Sequence, residues 1–226
     1  MEQAARLGLM GKHPGYGDFL RAGLSEGVED RLARWLEPAL AELRDQLGEG
    51  WGPFWDQGQD LRFWIGRAVA GVTLAGILRP SRDKVGRRYP LLLLAEGIDR
   101  APPVEDPDQA IWTLLARHLD RMQPGQGAAA LLSGTEAIRL PAEDAAQLQE
   151  GTTLWAHRPD GDLEALLLSA GPVDAGRAAL GRSYWWAPAR PGLAAVWLGC
   201  DGLPAAPALG WLLAGVPAQD PEHVHE

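Results

Sequence analysis

Between residues 26 and 47 apolar side chains return every three or four positions, at Val28, Leu32, Trp35, Leu36, Ala39, Leu40, Leu43 and Leu47. That period gathers side chains onto one stripe and predicts an amphipathic helix over 26–47. Pro38 falls inside it. Proline has no N–H for the helical ladder and its ring crowds the preceding turn, so a kink or a division into two helices is expected there. Further on the period changes. Residues 61–65 (Leu-Arg-Phe-Trp-Ile) and 72–78 read as strands, and 89–95 is a continuous apolar run suited to a central strand covered on both faces. Asp106 followed by Pro107 predicts a helix start, with Ile111, Leu114, Leu115, Leu119 and Met122 as its core stripe. Residues 97–107 form the long connection, and 124–127 a second break.

The second half is more broken. It predicts a short helix over 143–148 and a strand pair at 153–157 and 163–169 around the turn Arg158-Pro159-Asp160-Gly161-Asp162. Strands follow at 183–188 and 193–200, and a helix at 205–213. Strands cluster like hairpins between helices instead of alternating strictly with them. The expected fold is therefore an α/β (α+β) one, a mixed, mainly antiparallel sheet flanked by helices. No internal repeat is visible. The chain reads as a single domain over 1–226, with a core over 5–125 and a less regular part over 126–226.

Composition narrows the function classes. With 46% hydrophobic and 23% charged residues in 226, the chain is that of a folded domain with a full core. No apolar run approaches the roughly 20 residues needed to cross a bilayer, so no membrane insertion is expected. The first residues lack a basic segment followed by a long apolar one, so a secretory signal is not expected. Cys200, the lone cysteine, allows no internal disulfide, and the cytoplasm is the default compartment. The net charge is −9, yet residues 1–100 hold 14 basic and 14 acidic side chains, whereas 101–226 hold 7 and 16. Phosphate repulsion makes nucleic acid an improbable ligand of that second half.

Two short segments break the acidic trend. One is Gly11-Lys12-His13-Pro14-Gly15-Tyr16-Gly17-Asp18-Phe19; the other runs from Arg79 to Leu91 and holds Arg79, Arg82, Lys84, Arg87 and Arg88 against Asp83. Each packs glycine, proline, unlike charges and an aromatic beside an apolar run, the composition of turns with fixed backbone paths. The basic residues read either as solvated arginines flanking a turn or as a docking surface for an acidic partner or a phosphate. The two segments are expected to meet, with Asp18 or Asp83 paired to an arginine of the other loop, most plausibly Asp18 with Arg87. Of ten tryptophans most should be core; Trp51, Trp55 and Trp186 are the candidates for exposed aromatic anchors.

Motifs for catalysis are thin. Ser81-Arg82-Asp83-Lys84 matches Ser-x-x-Lys, but Pro80 and Gly86 argue for a loop, and its usual partner motifs do not occur. Asp83-x-x-Gly86 has no phosphate-binding Gly-x-x-x-x-Gly-Lys-Ser/Thr beside it, and Gly15-Tyr16-Gly17 lacks the third glycine of a dinucleotide loop. His13 and Asp18 have the chemistry of a base and its orienter, but no nucleophile stands with them; a structural hydrogen bond is the plainer reading. His223 and His225 read as a frayed tail. No cofactor, metal or catalytic residue is assigned.

Together the two segments resemble the type VI secretion-associated TagF family, whose members carry Gly-Lys-x-Pro-x-x-Gly-Asp-Phe and Pro-Ser-x-Asp-x-x-Gly-Arg-x-x-Pro-Leu. The resemblance continues through the tryptophan-bearing helix and the strand around Phe63, fades, and returns at Ser183-Tyr184-Trp185-Trp186 and Gly202-Leu203-Pro204. Arg88-Tyr89 replaces a commoner Phe-containing pair. The resemblance implies a fold like longin or profilin domains. It also implies a cytoplasmic, non-catalytic, post-translational repressor of type VI secretion that binds a forkhead-associated-domain scaffold protein, in a pathway with a threonine kinase and phosphatase. Lys12, Asp18, Phe19, Asp83 and Arg87 of that pattern, with Arg82 of the basic loop, are the expected partner-binding or structural motif. The alternative is a small hydrolase or nucleotide-binding enzyme using the Lys12–Asp18 and Ser81–Arg87 loops.

Overall fold

The computed structural model describes residues 5–135, 138, 140–142, 172–173, 175–176 and 178–218. The helix, strands and turn expected within 143–169, and His223 and His225, lie outside the described residues. Seven strands pair within them: β1 (Arg6–Gly11), β2 (Leu20–Ala22), β3 (Leu61–Ile65), β4 (Leu74–Arg79), β5 (Leu91–Glu96), β6 (Arg182–Ala187) and β7 (Val196–Asp201). They form one sheet in the order β2-β1-β5-β4-β3-β6-β7, antiparallel at every described pairing. β6 and β7, from the broken second half, extend the sheet begun by the first.

Alternation along the strands sends side chains to two cores. On one face Met10, Phe63, Leu92, Leu94 and Trp185 pack beneath α1 (Glu26–Leu47), α2 (Trp51–Gln57) and α5 (Ala206–Ala214). On the other, Leu9, Trp64, Leu91, Leu93 and Trp186 pack under α4 (Ala110–Arg121) and a 3₁₀ turn at Ala128–Leu132. A four-residue helix, α3 (Arg67–Ala70), links β3 to β4. β5 is buried on both faces, which is why its sequence is continuously apolar.

Helix α1 has the predicted bounds, and Pro38 does not divide it. Pro38 sits on the exposed side, where water can reach the Arg34 carbonyl that it leaves unpaired, while Leu36, Ala39 and Leu40 on either side stay docked on the sheet. Ser25 caps the helix, its side chain accepting from the Val28 N–H, and its own N–H donates to Glu96 at the end of β5 at 2.7 Å. The helix expected at Asp106 begins instead at Ala110. Asp106 and Asp108 each accept from the backbone N–H two residues on, and Arg100 bridges both carboxylates, so the chain turns twice before it winds.

Candidate functional site

The loop after β1 and the loop after β4 converge at one end of the sheet. Gly11 ends β1 with φ 125°, and a Cβ there would lie 1.9 Å from the Pro90 carbonyl oxygen, so only glycine lets the two chains approach. Lys12 N–H donates to that same carbonyl, at 3.2 Å, and Lys84 N–H donates to the Tyr16 carbonyl at 2.8 Å. The loops are therefore stitched together by backbone as well as by charge.

The second loop is a tight reversal. Gly86 N–H donates to the Asp83 carbonyl, Asp83 N–H to that of Arg87, and Tyr89 N–H to that of Ser81. Asp in first position and glycine in fourth suit such a turn, with Gly86 taking a φ of 90°. At its centre the side chain of Asp83 is fully buried. Oδ1 accepts from the N–H groups of Val85 and Arg87, at 3.1 and 2.9 Å; Oδ2 accepts from Arg87 Nε at 2.6 Å and meets Lys12 Nζ at 3.2 Å. Burial by itself would raise the carboxyl pKa. The Arg87 N–H and guanidinium and the Lys12 ammonium outweigh it and hold Asp83 well below the usual carboxylate range. Arg87 also donates to the Gly17 carbonyl, a further tie between the loops.

The loops thus meet, but not through Asp18 and Arg87. Asp18 is exposed and makes no hydrogen bond or ion pair among the described residues, whereas Asp83 offers a carboxylate already fixed by two backbone donors. An ion pair in water gains little over hydration, so the cations go to the preorganised buried acceptor. Phe19 instead lies edge-on to Tyr89, ring centres 5.2 Å apart, with Arg21 over its face. Arg82 and Lys84 are exposed and have no carboxylate partner among the described residues, although Arg82 is near enough to Asp56 to be felt by it.

A cleft of about 460 Å³ opens beside this junction, lined by His13, Pro14, Ser81, Arg82, Leu119 and Met122 among others. Its far wall is Trp55, whose Nε1 donates to the Ser81 carbonyl at 2.7 Å. Trp51 packs against Trp55 with ring centres 4.9 Å apart and the planes tilted by 38°. Trp55 and Trp186 are buried, contrary to their expected role as exposed anchors, because each spends its indole N–H inside: Trp186 donates to Gln109 Oε1 and meets Trp112 edge-on. Trp51 is partly buried. Among the described residues the exposed indoles are Trp197 at 52% and Trp211 at 44%, which strand and helix periodicity did not single out. Sequence reasoning also passed over Tyr16 as an anchor. Its hydroxyl accepts from Gly125 N–H at 2.7 Å and donates toward the Gly125 and Gly127 carbonyls, pinning the first loop to the break after α4.

His13 Nδ1 accepts from the Gly15 N–H at 3.0 Å, and burial lowers its pKa. The proton of the neutral ring is thereby assigned to Nε2, and the ring is not held by Asp18. Ser81 lies on extended chain, not on a helix, so the Ser-x-x-Lys spacing does not stack Ser81 and Lys84; Lys84 runs instead along Gly17. Among the described residues no group of three His, Cys, Asp or Glu is arranged to hold a metal ion, and no helix is long and apolar enough to cross a membrane.

A family model for the TagF N-terminal domain, type VI secretion system-associated, matches residues 8–132, a span that begins in β1, ends in the 3₁₀ turn and takes in both loops. The chain belongs to the TagF family. The crystal structure of PA0076 from Pseudomonas aeruginosa PAO1 superposes with a TM-score of 0.68 at 24% identity, over 95% of this chain and 97% of that one, a likeness of fold. A comparison with curated proteins gave no match. As a TagF-family chain the protein is type VI secretion-associated, and both convergent loops lie within the part of it that the family model spans.

Proposed function

We propose that the protein is a non-catalytic, cytoplasmic regulator of type VI secretion, a post-translational repressor that acts by binding a forkhead-associated-domain scaffold protein of the secretion machine. The threonine kinase and phosphatase that the family resemblance implies belong to the same pathway. The observation that carries the reading is the saturation of the motif. The buried carboxylate of Asp83 spends both oxygens on Lys12, Arg87 and its own turn, so these three charged residues of the family pattern hold a surface in shape instead of leaving a base or nucleophile poised. His13 spends Nδ1 on backbone in the same way.

The test is co-purification of the tagged, full-length chain with the forkhead-associated-domain scaffold from native cytoplasm, beside a secretion assay in cells overproducing it. Recovery of the scaffold and loss of secretion are expected, and Ser81→Ala should repress as wild type does. Repression abolished by Ser81→Ala at normal abundance and folding would instead support the hydrolase reading.

A further inference from the structure

Around the cleft at the loop junction, the polar groups that remain unspent are nearly all donors. Arg82 carries a guanidinium with no carboxylate partner among the described residues. Ser81 Oγ makes no hydrogen bond among them, and the neutral His13 ring carries its proton on Nε2 because Nδ1 accepts from Gly15. The one carboxylate on the lining is Asp56, and both its oxygens accept from Arg88, at 3.0 and 2.7 Å. Arg79, the other cation of the lining, is matched by Asp60 and Asp120. The floor and walls between these groups are apolar: Pro14, Leu91, Leu119 and Met122. A ligand that satisfies such a cleft must bring its own acceptors and negative charge, together with an apolar group to displace water from the walls.

We propose that this cleft docks an acidic segment of a partner protein, an apolar side chain seated against Met122 and Leu119 and a neighbouring carboxylate on Arg82 and Ser81. Lys84, exposed on the same turn, extends the attraction beyond the cleft. The charge on the turn steers association and sets its salt dependence, while the apolar seat and Arg82 set dissociation. The junction is well suited to recognition. Glycine contacts, backbone bonds and the Asp83 staple fix its shape beforehand, so little ordering accompanies binding. This inference rests on the reading of the protein as a binding module and adds where, and by what chemistry, it binds.

The experiment is a nitrogen-15 amide titration of the purified full chain with three probes: acetyl-Glu-Asp-Leu-Leu-Asp-Glu-amide, its counterpart with lysine at every acidic position, and inorganic phosphate. The acidic peptide should shift the amides of Gly15, Ser81 and Arg82 and the Trp55 indole. Arg82→Glu should weaken it by about tenfold and Arg82→Lys by much less. Met122→Asp should also weaken it. Arg82 is exposed and unpaired, so its variants should melt with the wild type, which separates lost binding from lost folding.

Shifts that map elsewhere, equal binding of the lysine peptide, or phosphate binding as well as the acidic peptide would each overturn the proposal, the last by reducing the cleft to a small-anion site. The peptide titration needs no scaffold. A protein that captures the scaffold but ignores the peptide overturns this inference alone; one that takes the peptide but never the scaffold overturns the partner named above and leaves the cleft standing.

Discussion

Asp83 has a buried side chain and is the one carboxylate that Lys12 and Arg87 meet among the described residues, so the two loops depend on it together. Replacing it with asparagine keeps the shape but removes the charge, and leaves two cations facing an amide. Asp83→Asn should therefore lower the melting temperature well beyond Arg88→Ala, which breaks a partly exposed pair of the kind worth about 0–1 kcal/mol. The pH dependence has a definite sign. A carboxyl held below its unfolded value of about 3.9 stabilises the fold fully above that value, and the stabilisation is lost as pH falls toward the folded pKa. The gap between wild type and Asp83→Asn should be constant from pH 8 to about 5 and shrink below about 4. Thermal melts across that range measure it; a gap independent of pH down to acid unfolding would show that Asp83 acts by packing. Tyr89 makes the opposite case. Its hydroxyl is buried with no hydrogen-bond partner among the described residues, and burial, with the Glu37 charge behind it, pushes the phenol up to about 12. Removing an unpaired buried hydroxyl relieves a desolvation cost, so Tyr89→Phe should leave the fold unharmed or stabilise it by up to about 1 kcal/mol in chemical denaturation.

Among the elements, α1 tests how much a single proline matters when its neighbours are docked. Pro38 is exposed, so replacing it leaves the buried stripe at Leu36, Ala39 and Leu40 untouched and restores one helical hydrogen bond to the Arg34 carbonyl. Pro38→Ala should raise stability by about 1–3 kcal/mol, read as an increase in the denaturation midpoint at unchanged slope. Elements whose own period is complete were legible in the sequence: α1 and β3 have their predicted bounds, and β5 reads as central because both its faces are buried. The elements missed were those whose cause is tertiary. β1 carries Gly8 in a short run, and that glycine is required by a close approach, since a Cβ there would lie 2.6 Å from Leu24 and 2.7 Å from the Ala22 carbonyl of β2. The site divides the same way. That the two charged loops meet was legible from their composition. The choice of Asp83 over Asp18 was not, because it depends on which carboxylate the folded backbone has already surrounded with N–H groups. Trp55 and Trp186 failed as exposed anchors for a related reason: where an indole N–H finds its acceptor, Ser81 for Trp55 and Gln109 for Trp186, is fixed by packing and not by spacing.

Across the whole molecule the family model and the sheet have different boundaries. The match ends at residue 132, yet β3, inside it, pairs along its free side with β6, outside it. The core above α1 is completed by Trp185, stacked on Phe63 at 5.0 Å, and by α5, whose Gly210 passes so near α1 that a Cβ would lie 2.7 Å from Leu43. A chain cut after residue 135 would keep both motif loops, with the Asp83 staple and every residue of the cleft lining. It would also bare the edge of β3, whose Leu61, Phe63, Trp64 and Ile65 are buried in the full protein, and uncover the apolar stripe of α1. An unpaired strand that is apolar on both faces is a template for aggregation, and a half-covered helix stripe has lost most of what holds the helix in place. Residues 1–135 should therefore be insoluble, or soluble without a cooperative melt and without the near-ultraviolet dichroism of packed tryptophan. Gly210→Leu in the full chain should show the same dependence more mildly, since the added side chain has to push α5 off α1 and overpacking of this kind costs about 1–3 kcal/mol. A soluble 1–135 fragment with a sharp melt and native-like tryptophan signal would show that the part matched by the family folds by itself. Residues 136–226, which hold 12 acidic side chains against 5 basic ones, would then be an addition to a finished domain and not the completion of its sheet.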